Sequence, residues 1–295
     1  MPRQTKTRSV FVCDSCGNES SKWEGRCPSC GEWNTLGEMK VSAKSPATGG
    51  WTGSTTASAT PLAEVSTEST PRMVFSSAEV NRVLGGGIVS GSLALVAGDP
   101  GIGKSTLLLK LASETGHGTK ALYATGEESA AQIKMRSNRM NIQTDGLYVL
   151  PATNVDQVIE QAQSLKPSLV IIDSIQTMFD ESVSSEPGSV AQIRECTRRL
   201  LEHAKSSNIP MILSGHVTKG GDIAGPRIME HMVDVVLHME GDPVSAWRLL
   251  RAMKNRFGST NEVGVFEMTS SGLKEVEDPS AAFIAKKGTE SIGSV

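Results

Sequence analysis

Aromatic side chains are scarce in this chain. Six Phe, four Trp and two Tyr make up 4% of 295 residues, too few for a surface dominated by base-stacking rings. Nor is there a basic excess: 29 Lys and Arg stand against 32 Asp and Glu, a net charge of -3, so any contact with nucleic acid must use local patches and not the field of the whole chain. Long apolar runs are missing too. No stretch approaches the roughly 20 apolar residues of a membrane span, and the opening MPRQTKTRSVFVCDSC lacks the apolar run of a secretory signal. A cytoplasmic protein with no membrane partner is expected. Cysteine is too sparse for a disulfide framework: of five, four fall in two CxxC pairs and Cys196 stands alone in a helical pattern, which fits metal binding better.

What is present is enough for a buried core, since 38% of the residues are apolar and the length suits one large or two ordinary domains. Residues 10–36 read as a small metal-held finger, too short for a hydrophobic core of its own. Residues 37–71 turn to Ser, Thr, Ala, Gly and Pro and read as a flexible tether that cannot offset its ordering entropy by burial. Over residues 72–275 strand-like runs (SLALVAG, KALYAT, LYVL, SLVIID, PMILSG) alternate with helical periodicity. That alternation predicts an α/β domain with a mainly parallel central sheet wrapped by helices. The later runs VDVVLHME, AWRLLRAMKN and EVGVFEM follow one another across short breaks and read as antiparallel strands extending the sheet.

The strongest chemical signal is GDPGIGKST, formed by Gly98, Asp99, Pro100, Gly101, Ile102, Gly103, Lys104, Ser105 and Thr106 between an apolar strand and a helix. It matches GxxxxGK[ST]: glycines let backbone N–H groups converge on phosphates, Lys104 places a charge near the β and γ oxygens, and Ser105 ligates Mg²⁺. A P-loop ATP hydrolase follows. Asp173 ends the buried run LVIID and is placed as the Walker B acid at the magnesium, an ordinary turn cap being its other reading. Glu127 and Glu128 emerge beyond KALYAT at the same sheet edge, where one carboxylate can orient or deprotonate the attacking water; acids at a helix start are the plainer reading.

Cys13, Cys16, Cys27 and Cys30 give CxxC, ten residues, CxxC, a spacing that lets four thiolates converge on one ion. Zinc is the first choice, with iron in a rubredoxin-like site competing. Trp23 and Trp33 are read as covering that site, or as stacking on a base. His216, directly after PMILSG, can sense a γ-phosphate or serve as a structural histidine, and Lys219 and Arg227 lie in the loop beyond it, facing nucleic acid or a neighbouring subunit. His203, His231 and His238 show no ligand-like spacing. Lys254, Asn255, Arg256, Phe257 and Gly258 read KNRFG at a strand end, suited to a phosphate of ATP across a subunit interface or of a nucleic-acid backbone, or to a solvated basic turn. Cys196 shares its helical stripe with Ile193, Leu200 and Ala204 and reads as core.

The finger, GDPGIGKST, GEES, LVIIDSIQT, GHVTK with IAGPRIMEHMVD, and above all KNRFG, in this order, resemble the bacterial RadA (Sms) family of DNA repair proteins over nearly the whole chain. The resemblance implies a RecA-like ATPase core using ATP, magnesium and zinc. It implies a homo-hexameric ring on single-stranded or branched DNA, working with a strand-exchange recombinase and driving branch migration in homologous recombination. It matches Glu127 to the water-activating carboxylate and places DNA contact in the loops at residues 179–190 and 217–226. Family members usually continue into a Lon-protease-like domain, so residues 276–295 are expected to be a tail at the start of a missing domain. A regulatory ATPase whose zinc module binds a protein is the second reading.

Overall fold

The structure, a computed structural model, describes residues 7–13, 18–42, 61–64, 71–115, 118–216, 228–241 and 246–276. At the N-terminal end β1 (Thr7–Cys13), β2 (Glu19–Ser20) and β3 (Leu36–Ser42) form an antiparallel sheet in the order β2-β1-β3, with Cys13 opposite Leu36. Its interior is small: Cys13, Cys27 and Leu36 are buried, with Phe11 packed against them. After a 3-10 turn at Leu62–Glu64, β4 (Arg72–Met73) and β5 (Ile88–Val89) pair around α1 (Ala78–Leu84).

The remaining elements are β6 (Leu93–Gly98), α2 (Lys104–Ser113), β7 (Ala121–Thr125), α3 (Ala130–Arg139), β8 (Leu147–Pro151), α4 (Val155–Leu165), β9 (Leu169–Asp173), α5 (Val190–Ser207), β10 (Met211–His216), α6 (Ile228–Met232), β11 (Val235–Glu240), β12 (Trp247–Asn255), β13 (Val263–Thr269) and β14 (Gly272–Glu275). They build one sheet in the order β14-β13-β12-β11-β6-β10-β9-β7-β8. Strands β6, β7 and β9 are buried along their whole length, as parallel strands covered on both faces must be. One face packs under α1 and α2 through Val80, Leu107, Leu108 and Leu111. The other packs under α4 and α5 through Val155, Val158, Ile193 and Leu200. Helix starts are local in origin: Ser129 and Gln132 form a capping box on α3, and Asn154 and Ser189 accept the first N–H groups of α4 and α5. Among the described residues no helix is long and apolar enough to cross a membrane.

Two strands differ from their sequence reading: β3 includes residues 37–42, the start of the segment read as a tether, because they pair with β1, and β11 differs in direction. β11 runs parallel to β6, Val235 opposite Ala94 and Met239 opposite Gly98, and only β12, β13 and β14 are antiparallel additions. β10 and β11 both run parallel to β6, on either side of it, and α6 directly precedes β11.

Register sets the site. Gly98 pairs with His216, Thr125 with Asp173, and Leu213 with Ile172, so β6 and β10 end together two residues beyond β7 and β9, and all four carboxyl ends lie at one edge of the sheet, the position at which open α/β sheets bind ligands.

Candidate nucleotide and metal sites

Between β6 and α2 the chain makes the turn that GDPGIGKST demands. Gly98 has φ 157°, and a Cβ there would lie 2.5 Å from Met239 O, so only glycine lets the backbone pass. α2 starts at Lys104 with Gly103 in the left-handed region and no side-chain cap, leaving first-turn N–H groups to face an anion. Ser105 and Thr106 follow in that first turn. Lys104 is 4% exposed. Its Nζ donates to Gly98 O at 2.7 Å, Asp99 O at 2.9 Å and His216 Nδ1 at 3.2 Å. Burial pushes its pKa down, against the pull of the Asp173, Glu127 and Asp99 carboxylates.

Because Lys104 is a pure donor, His216 Nδ1 accepts and the proton sits on Nε2. Nε2 then donates to Glu127 Oε1 at 3.2 Å, and Ser174 Oγ donates to the same carboxylate oxygen. The His216 hydrogen bond first, with Ser174 and Lys104 behind it, holds the Glu127 carboxyl at about 2 against the opposite effect of burial. Glu128 goes elsewhere. It pairs with Arg136 of α3, and its Oε2 and Arg136 Nη1 are buried without a further partner. Adjacent in sequence, the two glutamates thus serve different surroundings. Asp173 is 4% exposed and accepts at Oδ2 a 2.6 Å hydrogen bond from Tyr123 OH. Burial first, then Asp173, raises the Tyr123 pKa well above its usual range, so the phenol stays a donor.

Sequence reading overlooked Tyr123 and also Arg248 of β12, whose Nε donates to Ile102 O within the phosphate loop at 3.0 Å. Tyr123 had a signal, being a polar tip in a strand that must be buried. Arg248 had none, because its partner lies 146 positions away.

KNRFG sits at the opposite edge of the sheet, where Asn255 pairs with Val235 and β6 begins. Six residues of β6 separate it from the phosphate loop of the same chain, about 20 Å of extended strand. Lys254 Nζ donates to the carbonyls of Glu230 (2.6 Å), His231 (3.3 Å) and Val233 (2.7 Å), closing the end of α6. Asn255 reaches Leu84 O, Phe257 O accepts from Arg72, and Gly258 packs on Gly85. Arg256 is the most outward cation, 48% exposed with one contact to Asp234 at 3.2 Å. Lys219 and Arg227, with the loop at 217–226, lie outside the described residues. The other loop, at residues 179–190, is pinned by Gln192, which donates to the carbonyls of Asp180, Val183 and Ser185. It carries Asp180, Glu181 and Glu186 and no cation, a charge that repels phosphate.

At the finger, the sulfurs of Cys13, Cys27 and Cys30 lie within 4.8 Å of one another, Cys13 and Cys30 at 3.7 Å. A tetrahedron of about 2.3 Å metal–sulfur bonds has edges of about 3.8 Å, so the three fit one ion. Cys16 lies outside the described residues. Trp23 and Trp33, read as covering this site, are 57% and 67% exposed and bracket Gly25, and Arg26 lies 5.8 Å over the Trp33 ring. The small interior is already filled by Cys13, Cys27, Leu36 and Phe11. Cys196 is fully buried beside Leu200, and burial pushes its thiol up to about 12, which makes it an inert packing group.

A family model described as an AAA domain matches residues 59–222, and one described as a rubredoxin metal binding domain matches residues 11–38. A KaiC-like protein from Pyrococcus horikoshii shares the fold with a TM-score of 0.57 at 18% identity, over 70% of this chain and 99% of that one. The DNA repair protein RadA of Bacillus subtilis is 48% identical over 293 residues, 98% of this chain and 64% of the relative. That of Listeria monocytogenes is 49% identical over 99% of this chain, and that of Pseudomonas aeruginosa 48% over 98%, again at 64% of each relative. The chain spans about 64% of the length of these curated relatives. With a RecA-like P-loop core, a metal-binding ribbon before it and identity near one half across almost every residue, the chain belongs to the bacterial RadA family of DNA repair proteins.

Proposed function

We propose that this chain is the ATP-hydrolysing part of a motor that acts on DNA during recombination and repair. The observation that carries the reading is the chain of contacts Lys104–His216–Glu127, set near Asp173 at the carboxyl edge of the parallel strands. The N–H groups of α2 and Lys104 bind the phosphates, Ser105 and Asp173 hold Mg²⁺, and Glu127 orients the attacking water. Bound Mg²⁺ neutralises charge on the phosphates. Tyr123 fixes one oxygen of Asp173 and leaves the other for the metal side. Tyr123→Phe is therefore expected to weaken the Mg²⁺-dependent part of ADP binding about tenfold, read as the ratio of ADP affinities with and without Mg²⁺; an unchanged ratio removes Tyr123 from the metal site.

The opposite placement of KNRFG supports contact with a neighbouring subunit's nucleotide and not the chain's own, with Arg256 as the contact and Lys254 as the anchor of α6. A ring of identical subunits, six in the family's architecture, follows from that contact. DNA contact is assigned to Lys219 and Arg227, and the ribbon cysteines, Cys16 included, to zinc.

The test uses assembled full-length protein. ATP turnover should rise with single-stranded DNA, and Lys104→Ala and Arg256→Ala should each be inactive alone. Mixing the two variants should restore turnover, because a mixed ring contains sites with an intact loop facing an intact Arg256. No recovery on mixing would exclude contact across subunits, and indifference to DNA would count against the motor. A second reading, a regulatory ATPase whose ribbon binds a protein, is favoured by one observation: the exposed Trp pair lies on a ribbon without basic excess, whose residues 7–42 carry Asp14, Glu19, Glu24, Glu32 and Glu38 against Arg8, Lys22, Arg26 and Lys40. A pull-down through the ribbon without salt-dependent DNA affinity would support it.

A further inference from the structure

Arg248 stands in an unusual place for an arginine on an antiparallel strand. It is 8% exposed, its Nη1 donates to Trp247 O at 2.8 Å, and its Nε donates at 3.0 Å to Ile102 O, the carbonyl in the middle of the phosphate loop. A Cβ on Gly241 would come within 2.6 Å of Arg248 Cδ, so the strand beside it leaves room for this stem and for little else.

The consequence lies on the other side of the same peptide group. In a trans peptide C=O and N–H point in opposite directions, so holding Ile102 C=O toward β12 turns the Gly103 N–H away from β12 and toward the cradle that Lys104 borders. Gly103 takes φ 118° to do this, and its N–H has no acceptor among the described residues. Ile102 cannot easily turn back, since its side chain is only 6% exposed. A hydrogen bond from a charged donor is about twice as strong as a neutral one, and at this burial water does not replace it at no cost.

We infer that Arg248 is a positioning residue of the nucleotide site: it fixes the 102–103 peptide so that the Gly103 N–H is already aimed at a phosphate oxygen before nucleotide arrives. This rests on the reading of GDPGIGKST as the phosphate cradle. Preorganisation of this kind raises affinity because the loop does not have to be ordered on binding.

The test compares ADP dissociation constants and melting temperatures of the full chain as wild type, Arg248→Met, Arg251→Met and Lys104→Ala. Arg248→Met keeps a stem without donors and is expected to weaken ADP binding about tenfold and to shrink the rise in melting temperature that ADP produces. Arg251→Met removes a cation from the same strand that contacts Glu240 at the surface, and its ADP affinity should match wild type. A merely structural role would lower the melting temperature of the free Arg248→Met protein and leave its ADP affinity unchanged. That outcome, with binding lost in Lys104→Ala, overturns the role of Arg248 alone. Equal losses in Arg248→Met and Arg251→Met also overturn it, because they would belong to the strand. Undiminished binding in Lys104→Ala overturns the cradle itself. If Arg248→Met does not fold, Arg248→Gln, too short to reach Ile102, carries the same comparison.

Discussion

Glu127→Gln is expected to lower ATP turnover by about 10²–10⁴-fold with ADP affinity little changed. The substitution keeps size and hydrogen-bonding reach and removes the charge that directs a water. Glu127 is the carboxylate that meets both Ser174 and His216, whereas Glu128 is committed to Arg136. Glu128→Gln should instead cost about 1–3 kcal/mol of stability, because it leaves Arg136 partly buried without a counter-charge. Similar turnover losses in the two variants would contradict this division of roles. The pH profile gives a second check. The Glu127 carboxyl is held at about 2, below its ordinary value of 4.5, chiefly by His216. Its stabilising contribution is full above the ordinary value and is lost as pH falls through the lowered one. Wild-type turnover should therefore show no acid limb from Glu127 between about pH 5 and pH 8. His216→Ala should move that limb upward, toward the ordinary carboxylate range.

A carboxyl held that low is a weak base, so Glu127 in this arrangement orients water better than it deprotonates it. The three donors of Lys104 are spent on Gly98, Asp99 and His216. Phosphate oxygens that draw Lys104 away from His216 would free Nδ1 and loosen the hold on Glu127. Binding and activation of the carboxylate are thus connected through one imidazole.

Much of this was legible in the sequence because the signals are local. GDPGIGKST lies between a strand and a helix as its spacing requires, and the alternation of apolar runs with helical stripes announces the sheet. Asp173 ends a strand with no polar residue before it, so its position at the sheet edge is dictated by the run itself. Other features are invisible in one dimension. A run such as VVLHME carries no mark of its direction, and β11 is parallel to β6 by a register that only the folded sheet shows. Glu127 and Glu128 look equivalent until Arg136, eight positions on, claims one of them. KNRFG reads as paired cations on a turn, yet the Lys254 ammonium is occupied by three carbonyls around α6. In AWRLLRAMKN, Arg248 and Arg251 look alike as strand cations, and only tertiary packing separates the one under the phosphate loop from the one at the surface.

Metal removal should have the largest effect on the ribbon and almost none on the ATPase core. Among the described side chains, Leu36 and Phe11 are the apolar ones that accompany Cys13 and Cys27 inside it, and each supplies about 1.5–3 kcal/mol at full burial. A structural zinc supplies an apparent ~10–16 kcal/mol. Without the ion, β1, β2 and β3 lack the means to stay paired, while the sheet around β6 keeps both of its packed faces. Chelation of the full chain, or Cys27→Ala, is expected to abolish ribbon structure, read from loss of dispersed amide resonances, and to leave ADP affinity within about twofold of wild type. A chromogenic chelator should count one zinc per chain; iron in its place would establish the rubredoxin-like alternative. Cys16→Ser should behave as Cys27→Ala does if the fourth thiolate completes the site, and full metal retention in Cys16→Ser would reduce the ligand set to Cys13, Cys27 and Cys30. A ribbon that stays folded after chelation would mean that the strand pairing of β1 with β3, seven residue pairs long, is sufficient without metal.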